Sequence, residues 1–238
     1  MRGLHRVHGV VAAWLFVLGL TACDVVPGSA RAREPREAPS TEVAAFHALY
    51  DRQCAGCHGR DGRLGAARPL NDAVYLALVP VDRLVHVIAE GVPGTAQPAF
   101  GNAAGGALTN EQIQSLVHGL RAAWSRADAL RGAVVPPYAA PLGNPERGSA
   151  VYAAACASCH GASGAGGAKA RSVVDSSYLA LVSDQHLRTT VIAGRADLGM
   201  PDWRGQVPGR ALSPAEVSDV IAWLVTKRGP VQGRPGGS

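Results

Sequence analysis

Two cysteine pairs, each followed directly by a histidine, carry the most specific chemistry in this chain. They stand in the stretches Cys54-Ala55-Gly56-Cys57-His58 and Cys156-Ala157-Ser158-Cys159-His160. Two thiols one helical turn apart can add to the two vinyl groups of one haem, while the adjacent imidazole reaches the iron. The spacing therefore predicts two covalently bound haem c groups. Their predicted attachment residues are Cys54, Cys57, Cys156 and Cys159, and their predicted proximal iron ligands are His58 and His160.

Structural zinc sites and thioredoxin-like redox pairs also use the Cys-x-x-Cys spacing. A zinc ribbon does not account for a histidine directly after both second cysteines. A redox pair belongs in a βαβ pattern, which this sequence lacks. Haem attachment is therefore the favoured interpretation of both motifs.

The sequence around the two motifs repeats itself. Tyr50 and Tyr152 stand at matching places before the motifs, 102 residues apart. Further on, Tyr75–Val79 is identical in sequence to Tyr178–Val182, at a shift of 103 residues. We therefore predict two copies of one unit of about 85 residues.

Apolar residues in each unit recur at helical spacing, and no stretch alternates as a half-buried strand would. Phe46 and Tyr50 lie on one face of a predicted helix that leads into the first motif. A middle helix is expected to end at Gly91, and Thr109 and Ser213 are predicted N-caps of the last helix of each unit. The predicted fold class is all-α, with two tandem domains that each place a few helices around one haem.

The N-terminal segment has the pattern of an export signal. An apolar run of eleven residues from Val10 to Leu20 follows Arg2 and Arg6. This run is shorter than the roughly 20 residues that span a bilayer. It resembles a bacterial lipoprotein signal, with Cys23 as the lipidated first residue of the mature protein. The alternative is an ordinary signal peptide that leaves Cys23 as a spare thiol.

Stretches rich in Pro and Gly separate the predicted parts of the chain. The predicted parts are residues 1–22 as the lipoprotein signal peptide, 23–40 as a flexible tether, 41–126 as domain 1, 127–143 as a Pro-rich linker, 144–228 as domain 2 and 229–238 as a flexible tail. The names domain 1, linker and domain 2 denote these ranges.

Each domain resembles a class I cytochrome c, in which one helix enters the haem motif, a middle helix follows and a last helix comes after the loop of the distal ligand. The tandem resembles the dihaem cytochromes c of bacterial respiratory chains. Those proteins are free carriers or subunits of larger complexes. The resemblance covers residues 41–124 and 144–228.

This resemblance implies that the two haems differ in their sixth ligand. Met200, in Gly199-Met200-Pro201, stands where the family places its distal methionine, whereas domain 1 has Gln97 at the matching place. A thioether favours the reduced iron, so haem 2 is expected to have the higher potential. For haem 1 three alternatives stay open: a site without a protein ligand beside Gln97, weak ligation by Gln97, or ligation by a histidine. The histidine candidates are His47, His86 and His118, for which the sequence favours solvated or packing roles.

The proximal side is also expected to differ. Arg68-Pro69-Leu70 resembles the family's loop in which a proline carbonyl accepts a hydrogen bond from the haem histidine. Domain 2 has Ala170-Arg171-Ser172 at the matching place and no proline. Another carbonyl has to serve there.

Charge and composition exclude a nucleic-acid-binding protein. The formal charge is +5 and falls to +3 without Arg2 and Arg6, and the basic residues are scattered. Four haem propionates would bring the mature protein close to neutral.

The lipoprotein-like signal predicts a lipid anchor on the periplasmic side of the membrane, and Asp24 resembles the residue that keeps some bacterial lipoproteins at the inner membrane. The resemblance to dihaem cytochromes implies an electron-transfer protein. Its expected partners are redox proteins: a membrane dehydrogenase or quinol-oxidising complex as donor, and a terminal acceptor. The alternative is a haem enzyme that acts on peroxide or a sulfur oxyanion at an open haem 1. An electron carrier or complex subunit is favoured over such an enzyme. The chain is short for a dihaem peroxidase and, with Cys23 lipidated, has no spare cysteine for the thiolate ligand of thiosulfate dehydrogenases. The sequence also shows no Ser/His/Asp set, phosphate loop or carboxylate pair for other chemistry.

Overall fold

The computed structural model describes residues 41–229, and this part of the chain is helical without a β-strand. The helices of domain 1 are α1 (Thr41–Gln53), α2 (Ala55–His58), α3 (Ala73–Leu78), α4 (Val81–Glu90) and α5 (Asn110–Trp124). Those of domain 2 are α6 (Pro145–Ala155), α7 (Ala157–His160), α8 (Ser176–Leu181), α9 (Asp184–Ala193) and α10 (Pro214–Val225). The fold is all-α, with the same five helices in each of two tandem domains.

The predicted helix ends are set by local hydrogen bonds. Thr109 and Ser213 each form a capping box with the residue three positions later, so the first orphan N–H groups of α5 and α10 are satisfied. Gly91 ends α4 with φ 67°, and Gly194 ends α9 with φ 73°. These left-handed conformations favour glycine.

In both domains the first long helix packs on the last one, and each crossing contains one glycine close to one aromatic residue. In domain 1, a Cβ on Gly119 of α5 would overlap the side chain of Phe46 on α1. In domain 2, a Cβ on Gly148 of α6 would overlap the backbone carbonyl of Asp219 and lie 2.9 Å from the Cβ of Trp223, both on α10. The repeat aligns Phe46 with Gly148 and Gly119 with Trp223. The two domains therefore build the same close crossing with the glycine and the aromatic residue exchanged.

The linker packs against the protein rather than extending away from it. Tyr138 contacts the apolar cores of both domains, and its carbonyl accepts a hydrogen bond from Gln185 Nε2 on α9 at 2.7 Å. Arg188 Nε, also on α9, donates to the carbonyl of Pro137 at 3.0 Å. These bonds hold the linker on domain 2.

The apolar cores are not confined to the predicted domain boundaries. Leu78, at the end of α3, is 8% exposed and belongs to the apolar cluster of domain 2. Its repeat counterpart Leu181 is 54% exposed. None of the helices within residues 41–229 has the length and apolar character needed to cross a bilayer. The predicted signal peptide, Cys23, the tether and residues 230–238 of the tail lie outside the described residues.

Candidate haem sites

The two Cys-x-x-Cys-His motifs have the same backbone geometry. The carbonyl of Cys54 accepts hydrogen bonds from the N–H groups of Cys57 at 3.2 Å and His58 at 3.0 Å. In domain 2, the Cys156 carbonyl accepts the corresponding bonds from Cys159 at 3.1 Å and His160 at 3.0 Å. Each motif is therefore one tight helical turn that carries two cysteines and a histidine.

The repeated tyrosine before each motif fixes the turn that comes after the motif. The hydroxyl of Tyr50 donates to the carbonyl of Gly59 at 2.8 Å, and that of Tyr152 donates to the carbonyl of Gly161 at 2.7 Å. Both glycines have φ near 80° and lie against backbone, so no other residue fits there without strain. The internal repeat drew attention to these tyrosines, but only the structure shows that their hydroxyls bind the turn after each motif.

Both motif histidines are oriented by a backbone carbonyl. His58 Nδ1 lies 2.6 Å from the oxygen of Arg68, and His160 Nδ1 lies 2.8 Å from the oxygen of Arg171. Because a carbonyl only accepts hydrogen bonds, Nδ1 carries the proton and Nε2 keeps a lone pair for a metal. Burial also lowers the pKa of His58, which favours the neutral form that ligation needs.

The predicted acceptor in domain 1 was the carbonyl of Pro69, and this prediction is wrong. The acceptor is the carbonyl of the preceding residue, Arg68. Arg171 supplies the same group in domain 2, where no proline follows. The two proximal loops therefore share an arginine that supplies the acceptor carbonyl, and they do not share the proline. The expectation that another carbonyl serves in domain 2 therefore agrees with the geometry.

The first cysteine of each motif is partly buried. Burial, followed by the neighbouring thiol, raises the pKa of Cys54 and of Cys156 to about 11. Both groups are therefore thiols and not thiolates at neutral pH. Within residues 41–229, the His, Cys, Asp and Glu side chains do not gather in groups of three or more suited to a metal ion. Covalent haem requires two thiols that add to its vinyl groups and one imidazole that binds its iron. Each motif supplies these three groups, so both sites fit the cofactor.

The distal loops of the two domains share one backbone hydrogen bond at the predicted ligand position, but differ in the bond made by the N–H of that residue, which goes to Thr95 Oγ1 from Gln97 and to the Arg195 carbonyl from Met200. Val92 N donates to the carbonyl of Gln97 at 3.0 Å, and Arg195 N donates to the carbonyl of Met200 at 3.0 Å. A Cβ on the helix-ending glycine would lie 2.8 Å from the Gln97 oxygen in domain 1 and 2.7 Å from the Met200 oxygen in domain 2. The structure therefore places Gln97 at the position equivalent to Met200. Their roles as ligands stay predictions.

The Gln97 side chain is half-buried, and its Nε2 donates a long bond of 3.4 Å to the Pro98 carbonyl. The three histidines considered as replacement ligands, His47, His86 and His118, are all exposed. This exposure accords with the solvated roles that the sequence favoured for them.

The distal loop of each domain touches the other domain. Ala96, beside Gln97, donates its backbone N–H to the Leu181 carbonyl at 3.1 Å. In the opposite direction, Asp197 is 2% exposed and accepts two 2.9 Å hydrogen bonds from Arg195, which lower its pKa. The backbone N–H of Leu64 in domain 1 also lowers the Asp197 pKa. Each distal loop is therefore positioned partly by its neighbour.

Sequence reasoning missed this boundary between the domains. Arg195 and Asp197 have Val92 and Gly94 as repeat counterparts, so the repeat gave no signal for them. His186 on α9 also lies here. Burial, followed by the charges of Arg68 and Arg195, lowers its pKa to about 4. His186 is therefore neutral at neutral pH.

Comparison with known proteins finds one family. The profile described as "Cytochrome C oxidase, cbb3-type, subunit III" matches residues 41–118 and 143–224. A comparison with curated proteins finds no significant match.

Three solved structures are among those that the chain resembles. The Kuenenia stuttgartiensis reducing HAO-like protein complex Kustc0457/Kustc0458 is 19% identical, with 78% of this chain and 96% of that chain covered and a TM-score of 0.48. The KustC0563 c-type cytochrome is 31% identical over 34% of this chain and 98% of that one, with a TM-score of 0.29. Thiosulfate dehydrogenase (TsdBA) from Marichromatium purpuratum is 18% identical over 82% of this chain and 48% of that one, with a TM-score of 0.30.

Proposed function

Because the chain belongs to the cytochrome c family described as cytochrome c oxidase, cbb3-type, subunit III, we propose that it is a dihaem cytochrome that passes single electrons between redox proteins. The donor is a membrane dehydrogenase or quinol-oxidising complex, and the electrons pass on to a terminal acceptor. The description of the family names a subunit of an oxidase, which supports action within a larger complex as well as free diffusion.

One observation carries this proposal: the same donor set occurs twice with the same geometry. In each domain two thiols stand one turn apart, and the next residue is a histidine whose Nδ1 is bound to an arginine carbonyl. Bound haem supplies one-electron redox chemistry. The chain's own residues fix the cofactor covalently, orient the imidazole and shape the distal side.

The two sites differ on the distal side, so an electron is expected to reside mainly on the haem with the higher potential. Met200 offers a soft thioether that favours reduced iron, whereas Gln97 offers a hard amide oxygen. Haem 2 is therefore expected to have the higher potential. Electrons that enter at haem 1 would settle on haem 2 before they reach the acceptor.

The test is a potentiometric titration of the holoprotein, followed by absorbance, together with a measurement of haem content per chain. We expect two haems and two one-electron steps. In Met200→Ala the higher step should move down while the lower one stays, which assigns it to haem 2. One haem per chain, or a higher step that Met200→Ala leaves in place, would contradict the proposal.

A second candidate function is an enzyme that binds peroxide or a sulfur oxyanion at an open haem 1. The observation that favours it is the half-buried Gln97 at the methionine position, with the three histidine candidates exposed. Carbon monoxide binding to the dithionite-reduced protein, expressed per haem, tests whether the site is open. Binding at one haem of two would justify turnover assays, whereas no binding would leave electron transfer alone.

We further propose that the protein is held at the periplasmic face of the inner membrane by lipid on Cys23. The support is the short apolar run that closely precedes this cysteine. Replacing Cys23 by Ser should move the protein from the membrane fraction to the soluble periplasmic fraction. If the Cys23→Ser protein stays on the membrane after a high-salt wash, then lipid on this residue is not the anchor.

A further inference from the structure

Arg68 is a buried cation at the boundary between the two domains. It is 5% exposed, and its backbone carbonyl holds Nδ1 of His58, the predicted ligand of haem 1. Its side chain reaches the other domain, where Nη2 donates to Thr190 Oγ1 on α9 at 3.1 Å. One residue therefore contacts the proximal histidine of domain 1 and the middle helix of domain 2.

The hydrogen bonds available within the protein do not satisfy this guanidinium. Nε and Nη1 are buried without a partner. Nη1 forms an ion pair with Asp72 Oδ2 at 3.9 Å, which is too long for a hydrogen bond. Asp72 Oδ2 is itself buried without a hydrogen-bond partner, and Oδ1 caps α3. The face of the guanidinium rests on the ring of Tyr75 at 4.6 Å. Since an arginine has five N–H donors and desolvation of a charge is costly, the free donors call for another acceptor.

We infer that the guanidinium of Arg68 binds the carboxylate of a haem propionate at the boundary between the domains. Propionates are the anionic groups that a haem brings into a protein, and a carboxylate matches the planar fork of an arginine. Haem 1 is a candidate source because the Arg68 carbonyl orients His58. Haem 2 is the other, because the side chain of Arg68 reaches Thr190 on α9, the middle helix of domain 2. Redox titration distinguishes the two sources, with Met200→Ala used to identify the step of haem 2.

A cation held against a propionate stabilises the reduced state of that haem, because the oxidised iron carries one more positive charge. Loss of the cation should therefore lower the potential of the haem concerned. Arg68 would act as a positioning residue that sets the potential at the contact between the haems. This role depends on covalent haem, as the proposed function does, but not on the identity of the redox partners.

The chain offers a matched control. Arg171 has the same place in domain 2 and holds His160 Nδ1 through its carbonyl, but its side chain is exposed. Arg68→Met and Arg171→Met should be compared in the full-length holoprotein by redox titration. We expect Arg68→Met to raise the oxidised-to-reduced ratio of one haem about tenfold at its wild-type midpoint, equal to a fall of about 59 mV. Arg171→Met should leave both steps in place.

Met200→Ala shows which redox step belongs to haem 2, because that step is the one that moves in this variant. It therefore identifies the haem whose propionate Arg68 binds. A shift in that step assigns the propionate to haem 2, and a shift in the other assigns it to haem 1. Thr190→Val separates propionate binding from simple bridging of the domains, because it removes the bond between Arg68 and domain 2 but leaves the charge. If Thr190→Val shifts the potential as far as Arg68→Met does, or if Arg68→Met shifts neither step, the inference is wrong.

Arg68→Lys keeps the proposal testable if Arg68→Met does not fold. It retains the charge but lacks the planar fork. Its propionate bending band in the resonance Raman spectrum should move, while its potentials stay close to those of the wild type. An unchanged band in Arg68→Lys would overturn the assignment. Haem content measured on the wild-type protein tests the proposed function separately.

Discussion

The difference between Gln97 and Met200 is the clearest case in which one side chain separates two otherwise matched sites. The loops that carry them share the hydrogen bond from the first loop residue and the close approach of the helix-ending glycine. The carbonyls of Gln97 and Met200 therefore occupy matching places in the two loops. What differs is the chemistry of the donor atom, so exchanging the two residues should exchange the properties of the sites.

The exchange can be tested with Gln97→Met and Met200→Gln. Gln97→Met should raise the lower potential, and Met200→Gln should reduce the higher one by the order of 0.1 V, within the roughly 0.8 V range that axial ligands span. Carbon monoxide binding should fall in the first variant and appear at haem 2 in the second. Spectroelectrochemical titration measures both potentials. If Gln97→Met leaves the lower potential where it was, the loop does not aim this side chain at the iron.

Asp219 shows how a single buried carboxylate fastens two helices. Its side chain is 6% exposed, its Oδ1 accepts the backbone N–H of Asn144 at 2.7 Å, and both oxygens accept bonds from Arg147. These bonds to Arg147, more than any other contact, lower the pKa of Asp219. The start of α6 is thereby tied to α10.

Replacing Asp219 by Asn should lower the free energy of unfolding by about 1.5–3 kcal/mol at pH 7. Because the folded pKa is depressed, the contribution of the charge is complete above the ordinary Asp value of about 3.9 and is lost as pH falls through the folded pKa. Urea unfolding at pH 7 and at steps down to pH 3 measures this. The difference between wild type and Asp219→Asn should shrink as the pH falls. A difference that does not depend on pH would contradict the assignment.

Between the two domains, the glycine and the aromatic residue at the crossing of the first and last helices have changed places. This exchange indicates that the close approach of the two helices is what the sequence must preserve. Domain 1 puts the ring on α1 and the glycine on α5, and domain 2 does the reverse. Either arrangement allows the helix backbones to approach closely. The constraint is therefore on the pair of positions and not on either residue alone.

Gly119→Ala tests this pairing. The new methyl group would overlap the Phe46 side chain, and we expect a loss of about 1–3 kcal/mol in the free energy of unfolding. In a Phe46→Ala background the same change should be neutral or stabilising by up to about 1 kcal/mol, because alanine favours helix over glycine. Ser115→Ala, at an exposed position of α5, is the control. Equal costs of Gly119→Ala in both backgrounds would show that Phe46 is not the obstacle.

Most of the helices were predictable because their signals are local. Thr109, Ser213 and Gly91 act as the caps and stop that their residue types indicate. Arg68 and Asp197 were not predictable as boundary residues, because charged side chains are expected on the surface and their partners are distant in sequence. The acceptor for His58 was misassigned because the family pattern draws attention to Pro69, whereas the bond is made by the peptide group before it.

Taken as a whole molecule, the two domains are coupled through apolar contact as well as through their loops. Leu78 of α3 packs into the apolar cluster of domain 2, and the linker residue Tyr138 contacts both clusters. Each distal loop also contacts the neighbouring domain, as the backbone bond of Ala96 illustrates. A change at this boundary should therefore reach both haem sites, which a pair of independent domains would not allow.

Leu78→Ala, compared with Leu181→Ala, tests this coupling. The two residues occupy the same position of the repeat, but Leu78 is 8% exposed and Leu181 is 54% exposed. We expect Leu78→Ala to cost about 2–5 kcal/mol of unfolding free energy and Leu181→Ala about 0.5 kcal/mol or less. Amide hydrogen exchange should show faster opening of α9 and α10 in Leu78→Ala although the substitution lies in domain 1, because its side chain belongs to the core of domain 2. Loss of protection confined to residues 41–126 would instead mean that each domain is stable by itself, and that the electron path between the haems depends on the loop contacts alone.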